Sequence, residues 1–109
     1  MTPIEISCRS VKQKLDAGDD FLLLDCREAA EFEIVSIVGA TLLPMSELLA
    51  RAAEFEPHRD RPIVVYCHMG GRSLQVAAWL RQQNFPQAQS MAGGVDAWAT
   101  QIDTSLPRY

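Results

Sequence analysis

The sequence has few of the residues that build metal centres or disulfide frameworks. Among its 109 residues there are three cysteines and two histidines. The cysteines lie far apart, no two of them form a CxxC pair, and neither His58 nor His68 completes a set of metal ligands. We therefore expect no metal site and no bound cofactor. Separate thiols, odd in number, are typical of a cytoplasmic protein whose cysteines stay reduced.

Positive charge and long apolar runs are also scarce. Ten Lys and Arg residues face 14 Asp and Glu residues, which gives a net charge of -4. A nucleic-acid binder would show a basic face, so the balance argues against that partner. It leaves an anionic substrate open, because the local field of a site can oppose the net charge. No apolar run is long enough to span a membrane, and the N-terminus has no signal-peptide pattern, so neither a membrane partner nor secretion is expected.

Short apolar runs alternate with segments of helical period. The apolar fraction is 48%, ordinary for a globular protein, and the length suits one domain over residues 1–109. Two continuous runs, 21–24 and 63–66, predict strands that are buried on both faces. Weaker strands are expected at three further places, residues 4–6, 41–43 and 88–91.

Three longer helices are predicted between these strands, with a short fourth one after the glycine pair at 93–94. Ser7 is a good N-cap for the first, which runs through Leu15. A second is expected after Ser46, and the clearest spans residues 73–83. Their apolar positions are Leu48, Leu49 and Ala52 in the second helix, and Leu74, Ala77, Ala78 and Leu80 in the third. Strands that alternate with helices predict an α/β fold with a mostly parallel sheet of about five strands.

Unusual residues follow the strand at 63–66, at the edge of the sheet where ligands collect in such folds. Cys67 ends the strand, and the loop His68-Met69-Gly70-Gly71-Arg72 leads into the clearest helix. Loop amides, the helix dipole and Arg72 would all stabilise a thiolate and lower the pKa of Cys67. The alternative is a buried structural cysteine before a tight turn. Two glycines, an arginine and a helix start in one short stretch favour the functional interpretation.

Three stretches in the same order resemble the rhodanese family. The loop from Cys67 to Ser73 resembles that family's active-site loop. The segment from Asp25 to Phe32, followed by Gly39-Ala40 and Pro44, is similar to the region after its second strand. Residues 91–98, Met-Ala-Gly-Gly-Val-Asp-Ala-Trp, resemble its C-terminal signature. The resemblance implies a three-layer rhodanese-like fold with helices on both faces of the sheet.

The resemblance also implies a reaction. Rhodanese domains take a sulfane sulfur from a donor such as thiosulfate onto the loop cysteine and pass it to cyanide, a thiol or a protein acceptor. Carried over, Cys67 is the nucleophile and Arg72 contacts the small anionic donor. The substrate-binding cradle consists of His68, Met69, Gly70, Gly71, Arg72 and Ser73. Asp25 and Arg27 support the loop; the alternative is a helix cap by Asp25 with an Arg27–Glu31 pair.

Some features depart from the family or stay open. Val35-Ser36-Ile37 stands where rhodaneses commonly have Gly-His-Ile, which affects the local loop and any role of the missing imidazole. Cys8 is expected to be a bystander, and Cys26 to be a packing residue, with a resolving thiol as the alternative.

Other functions compete with thiosulfate sulfur transfer. These are a dedicated protein-to-protein sulfur relay, a non-catalytic rhodanese-like binding module and a Cys-based phosphatase. Four residues separate Cys67 from Arg72, whereas those phosphatases have five. The shorter ring suits one sulfur atom.

Overall fold

Five parallel strands form a single sheet in the computed structural model, which describes residues 2–109. In chain order they are β1 (Glu5–Ile6), β2 (Leu22–Asp25), β3 (Thr41–Leu42), β4 (Ile63–Tyr66) and β5 (Ala88–Met91). Across the sheet the order is β1-β5-β4-β2-β3. The predicted α/β class and the number of strands are confirmed.

The central strand explains where the site lies. All four residues of β4 are 0% exposed, since β2 and β5 flank the strand and both of its faces are covered. A continuous apolar run is what such a strand requires. The residue after β4 is therefore at the middle of the carboxyl edge of the sheet.

Within residues 2–109, three α-helices and two 3-10 segments connect the strands, and a fourth α-helix follows β5. The helices are α1 (Cys8–Ala17), α2 (Ala29–Ile34), α3 (Gly71–Gln82) and α4 (Gly94–Gln101), and the 3-10 segments are Met45–Glu47 and Ala52–His58. Ser7 caps α1 as predicted, because its hydroxyl accepts a hydrogen bond from the Ser10 amide at 3.1 Å. Within residues 2–109, no helix combines the length and apolar character needed to cross a membrane.

The elements pack in three layers, as the resemblance implies. On one face of the sheet, Val76 and Leu80 of α3 and Phe55 of the second 3-10 segment form a core with residues of β2 and β4. On the other face, Val11 of α1 and Trp98 of α4 belong to a second core. The side chains of successive strand residues alternate between these two cores.

The helix predicted after Ser46 is wrong. The Ser46 hydroxyl donates to the Glu28 carboxylate at 2.9 Å instead of capping a helix. Leu48 is buried, but Leu49 is 78% exposed, so the apolar residues do not share one helix face. The chain forms two short 3-10 segments here.

The clearest predicted helix is present but begins two residues earlier, at Gly71, and its core face differs. Val76, Ala77 and Leu80 are buried, whereas Leu74 is 37% exposed. The apolar pattern predicts that Leu74 faces the core, but the buried side chain in this turn is that of the polar Ser73. That inward serine belongs to the site described next.

Candidate active site

Cys67 lies directly after β4 and is 1% exposed. Two backbone donors point at its sulfur: the Gly70 N–H at 3.1 Å and the Ser73 N–H at 3.3 Å. Ser73 is the third residue of α3, so its amide is one of the first-turn N–H groups that have no partner within the helix. Of the amides from His68 to Ser73, those of Gly70 and Ser73 therefore face the sulfur, and one of the two belongs to a helix N-terminus.

Gly70 allows the loop to close around the sulfur. Its φ of +108° lies in the left-handed region, which a residue with a side chain rarely adopts. A Cβ at this position would also lie 3.3 Å from the Gly93 nitrogen. The loop glycine and the C-terminal glycine pair thus pack against each other.

The N-terminus of α4 holds the loop from behind. The Val95 N–H donates to the Cys67 carbonyl at 2.9 Å, and the Asp96 N–H donates to the His68 carbonyl at 3.0 Å. A Cβ on Gly94 would lie 2.6 Å from the Cys67 carbonyl oxygen and 2.4 Å from that of His68. These contacts hold two carbonyls away from the sulfur, so that amides rather than carbonyls face it.

The hydrogen bonds around Cys67 favour its charged form. They lower the pKa of Cys67 to about 4. The largest cause is a hydrogen bond from the Cys26 thiol; burial opposes the shift, and the Ser73 hydroxyl and the Ser73 and Gly70 amides add to it. At neutral pH the side chain is a thiolate, the form that acts as a nucleophile.

A pair of buried serines lies beneath the sulfur. Ser73 Oγ is 3.4 Å from Cys67 Sγ and 2.7 Å from Ser90 Oγ on β5, and both serines are 0% exposed. The Ser73 hydroxyl also donates to the Gly70 carbonyl at 3.2 Å, so the Gly70 carbonyl and the Cys67 sulfur lie within reach of the same Ser73 proton. Ser90 therefore supports the cradle through Ser73.

The Arg72 guanidinium makes no hydrogen bond to the Cys67 sulfur within residues 2–109. The guanidinium forms a bidentate ion pair with Glu31 of α2, with Nη1–Oε1 at 2.8 Å and Nη2–Oε2 at 2.9 Å. The pair lowers the pKa of Glu31 to about 2. Three of the five N–H groups of Arg72 make no hydrogen bond within residues 2–109 and remain available to a ligand.

Asp25 and Arg27 form a fully buried ion pair. The Asp25 carboxylate also accepts the Arg27 amide at 3.0 Å, so it does not cap a helix; Glu28 is the N-cap of α2. Arg27 donates to the Glu31 carbonyl at 3.3 Å, whereas the Glu31 carboxylate pairs with Arg72. The alternative of a side-chain Arg27–Glu31 pair is therefore wrong.

Arg27 reaches the site through Tyr109. Arg27 Nη1 donates to the Tyr109 hydroxyl at 2.8 Å, and that hydroxyl donates to Glu31 Oε2 at 2.7 Å. The Tyr109 ring stacks on the His68 imidazole with centroids 3.9 Å apart. Loop support by Asp25 and Arg27, which the resemblance implies, would thus be indirect.

Met69 and Gly71 occupy the outer side of the loop. The Met69 side chain is 67% exposed, and Gly71 is exposed at the start of α3. Neither contributes a hydrogen bond to the sulfur. Among residues 2–109, no group of His, Cys, Asp or Glu side chains is arranged to hold a metal ion.

Comparison with known proteins identifies the family of the chain. The family model described as "Rhodanese-like domain" matches residues 7–101. The chain belongs to the rhodanese-like domain family. A curated "Sulfurtransferase" of Allochromatium vinosum is 39% identical over 95 residues, which cover 87% of each chain.

Other relatives of this rhodanese-like chain differ in length. The "Putative sulfur carrier protein YrkF" of Bacillus subtilis is 33% identical over 94 residues, 86% of this chain and 50% of that protein. Several further curated relatives are much longer, and the chain spans between 23% and 31% of their length. The human single-domain sulfurtransferase TSTD1 superposes with a TM-score of 0.78 at 26% identity, covering 92% of this chain and 98% of that one.

The stretch that departs from the usual rhodanese sequence is held by its backbone. The Val35 carbonyl accepts a hydrogen bond from Arg27 Nη2. The Ile37 N–H donates to the Tyr66 hydroxyl at 3.1 Å. The loop between α2 and β3 thus has defined contacts without an imidazole.

Sequence reasoning missed four features of this rhodanese-like site. The sequence does not predict that Cys26 lies next to Cys67, because this depends on strand register. It also does not predict the pair of Glu31 with Arg72, since it offers Glu31 only as a partner of Arg27. Ser90 carried a signal, since a serine inside a buried strand needs a hydrogen-bond partner. Nothing in the sequence indicates a role for Tyr109, because only the fold brings it to His68 in the loop.

Proposed function

We propose that the protein is a sulfurtransferase that carries a sulfane sulfur as a persulfide on Cys67. The observation that carries this proposal is the convergence of the Gly70 and Ser73 amides on one sulfur atom. The family and its curated relatives support sulfur transfer as the class of activity.

The reaction has two displacement steps. The Cys67 thiolate attacks the outer sulfur of a donor such as thiosulfate, an S–S bond to Cys67 forms, and sulfite leaves with the electron pair of the broken bond. An acceptor nucleophile then attacks the outer sulfur of the persulfide and Cys67 leaves as thiolate. The loop carries a negative charge before and after each step, which is the charge that its amides stabilise.

A small anionic donor suits the charges around the loop. Arg72 belongs to the cysteine loop, and three of its guanidinium N–H groups make no hydrogen bond to any residue in 2–109. Glu31 holds this guanidinium in place through two hydrogen bonds. Arg72 is therefore the residue proposed to contact the donor.

Cyanide, a thiol or a protein would serve as the acceptor. A protein acceptor, and with it a dedicated sulfur relay, is favoured by two observations. One relative is named a putative sulfur carrier protein, and Met69 beside Cys67 is 67% exposed. The three cysteines are unpaired, which supports a reducing compartment such as the cytoplasm.

A phosphatase is less well supported. The amides of Gly70 and Ser73 converge on the Cys67 sulfur itself. A phosphoryl group needs donors spread around three equatorial oxygens. We expect no hydrolysis of aryl phosphates above the background of Cys67→Ser.

Intact mass spectrometry tests the proposal. After incubation with thiosulfate, the wild-type chain should gain the mass of one sulfur atom and lose it again on addition of cyanide. Cys67→Ser should gain nothing. Cys8→Ser is the matched control, because Cys8 is buried in the core on the opposite face of the sheet, and it should gain the sulfur as the wild type does. An adduct that persists in Cys67→Ser would refute the assignment of the nucleophile.

A further inference from the structure

A second thiol lies beside the nucleophile. Cys26 follows β2 as Cys67 follows β4, and the preceding residues, Asp25 and Tyr66, are paired in the parallel ladder. The two cysteines therefore stand side by side, one position beyond this pair, at the ends of neighbouring strands. Their Cα separation is set by the strand spacing of about 4.8 Å, which lies in the range of about 4.4–6.8 Å that a disulfide requires.

Both thiols point to the same side of the sheet. Cys26 and Cys67 belong to the same core cluster, together with Leu24 and Val65, which precede them by two residues on their strands. They are 0% and 1% exposed. Cys8 lies in the core on the other face, so Cys26 is the thiol that has access to the Cys67 sulfur.

The two thiols are close enough to affect each other's protonation. Proximity to Cys67, together with burial, raises the pKa of Cys26 above its usual range, and proximity to Cys26 lowers that of Cys67. Cys26 therefore keeps its proton while Cys67 is a thiolate, and Cys67 is the thiol that attacks the donor first.

We propose that Cys26 is a resolving thiol that discharges the Cys67 persulfide as hydrosulfide and leaves a Cys26–Cys67 disulfide. The inference rests on the proposed persulfide. The Cys26 sulfur attacks Cys67 Sγ, the bond between Sγ and the outer sulfur breaks, and the outer sulfur leaves as hydrosulfide with the proton of Cys26. The outer sulfur is reduced and the two cysteines are oxidised, so no external oxidant is needed.

The disulfide would close the site to further sulfur. Both cysteines are then bonded, and Cys67 cannot attack a donor until a low-molecular-weight thiol or a protein dithiol reduces the bond. When acceptor is scarce, the bound sulfur leaves as sulfide and the Cys26–Cys67 disulfide forms. When acceptor is abundant, transfer competes with the internal reaction.

Sulfur loading followed by a chase tests this step. The chain is charged with thiosulfate, the donor is removed, and mass and sulfide are followed over time. The wild type and Cys8→Ser should lose the added sulfur as sulfide and end two hydrogen atoms lighter than the reduced chain, with Cys26 and Cys67 in one cross-linked peptide. Cys26→Ser keeps a hydrogen-bond donor beside Cys67 but cannot form the bond. It should hold the adduct at least about tenfold longer, since it lacks the intramolecular nucleophile.

A second measurement is independent of the persulfide. An aromatic disulfide reagent such as Ellman's is added to the reduced Cys8→Ser chain, where Cys67 attacks it and releases one aryl thiolate. Cys26 should then displace the second aryl thiolate and form the same cross-link, whereas Cys8→Ser with Cys26→Ser should stop at the mixed disulfide.

The two measurements fail separately. If thiosulfate adds no sulfur to Cys26→Ser and releases no sulfide from the wild type, the proposed function is refuted, and the aryl disulfide measurement then decides whether Cys26 can resolve a bond to Cys67. Equal discharge rates with and without Cys26, or a mixed disulfide that persists beside it, would overturn the resolving role.

Discussion

Cys67 is the residue on which the proposed chemistry depends, and donors surround its sulfur. Thiol, hydroxyl and amide hydrogens from Cys26, Ser73 and Gly70 converge on it. Each interaction is stronger with a thiolate than with a thiol, so together they outweigh the cost of burying a charge.

We predict that Cys67 reacts as a thiolate well below the unperturbed cysteine pKa of about 8.5. The rate of alkylation by iodoacetamide, measured against pH and corrected with Cys67→Ser, should stay high until the pH approaches the lowered pKa of about 4. A midpoint at or above the unperturbed value would show that the donors do not stabilise the thiolate.

The same shift has a consequence for stability. The pKa of Cys67 is lower in the folded chain than in the unfolded chain, so the unfolded state binds more protons between the two values. The free energy of unfolding of the reduced wild type, relative to Cys67→Ser, should therefore rise with pH between about 4 and about 8.5. Above that window the thiolate contribution is complete, and below it the contribution is lost.

The residues around Cys67 differ in how far the sequence could predict them. The loop glycines and Arg72 are contiguous with Cys67, so their presence near the sulfur followed from the motif alone. The partner of Arg72 did not, because Glu31 is 41 residues away and reaches Arg72 only after α2 packs beside the loop. Ser90 lies in β5 and Cys26 directly follows β2, so the register of these strands decides what the two side chains face.

At the scale of elements, α4 fixes the cysteine loop that precedes α3. The Val95 and Asp96 amides bind the carbonyls of Cys67 and His68. This close approach requires a residue without a side chain at Gly94, whose Cβ would clash with both carbonyl oxygens. The C-terminal glycine motif and the cysteine loop are therefore two halves of one structure.

We predict that Gly94→Ala displaces the loop. Gly94 has a φ of +61°, so the alanine adds backbone strain to the clash. Misaimed amides should slow persulfide formation by on the order of a hundredfold, measured by the initial rate of the mass gain with thiosulfate.

Gly39→Ala is the matched control. Gly39 also has a positive φ, of +93°, but a Cβ there would meet nothing within 4 Å. It should cost about 1–3 kcal/mol of stability from strain and leave the loading rate unchanged. Equal loading rates in the two variants would show that α4 does not position the loop.

The elements themselves were predicted unevenly. β4 and α1 were recovered because one has an uninterrupted apolar run and the other a capping serine. The helix expected after Ser46 failed because its serine binds Glu28 and its leucines do not share a face. Local pattern decides where a long element forms, whereas short segments follow the tertiary contacts available to them.

At the scale of the whole molecule, residues distant in sequence converge at the mouth of the site. Tyr109 accepts a hydrogen bond from Arg27, donates one to Glu31 and stacks on His68. Arg108 pairs with Asp96 at the start of α4. The last residues of the chain are thereby joined to α2, α4 and the cysteine loop. The Tyr109 hydroxyl links Arg27 to Glu31, and Glu31 pairs with Arg72.

We predict that Tyr109 acts through two separable properties. Tyr109→Phe keeps the ring on His68 but removes both hydrogen bonds, and should cost about 1 kcal/mol of stability with little change in the alkylation rate of Cys67. Tyr109→Ala removes the ring as well, so iodoacetamide should reach Cys67 several-fold faster at a pH where the thiolate is fully formed. Because iodoacetamide is neutral, the increase would report on access and not on the charge of Arg72. If the two variants alkylate at the same rate, the stacked ring does not cover the mouth and Tyr109 serves only the ion-pair network.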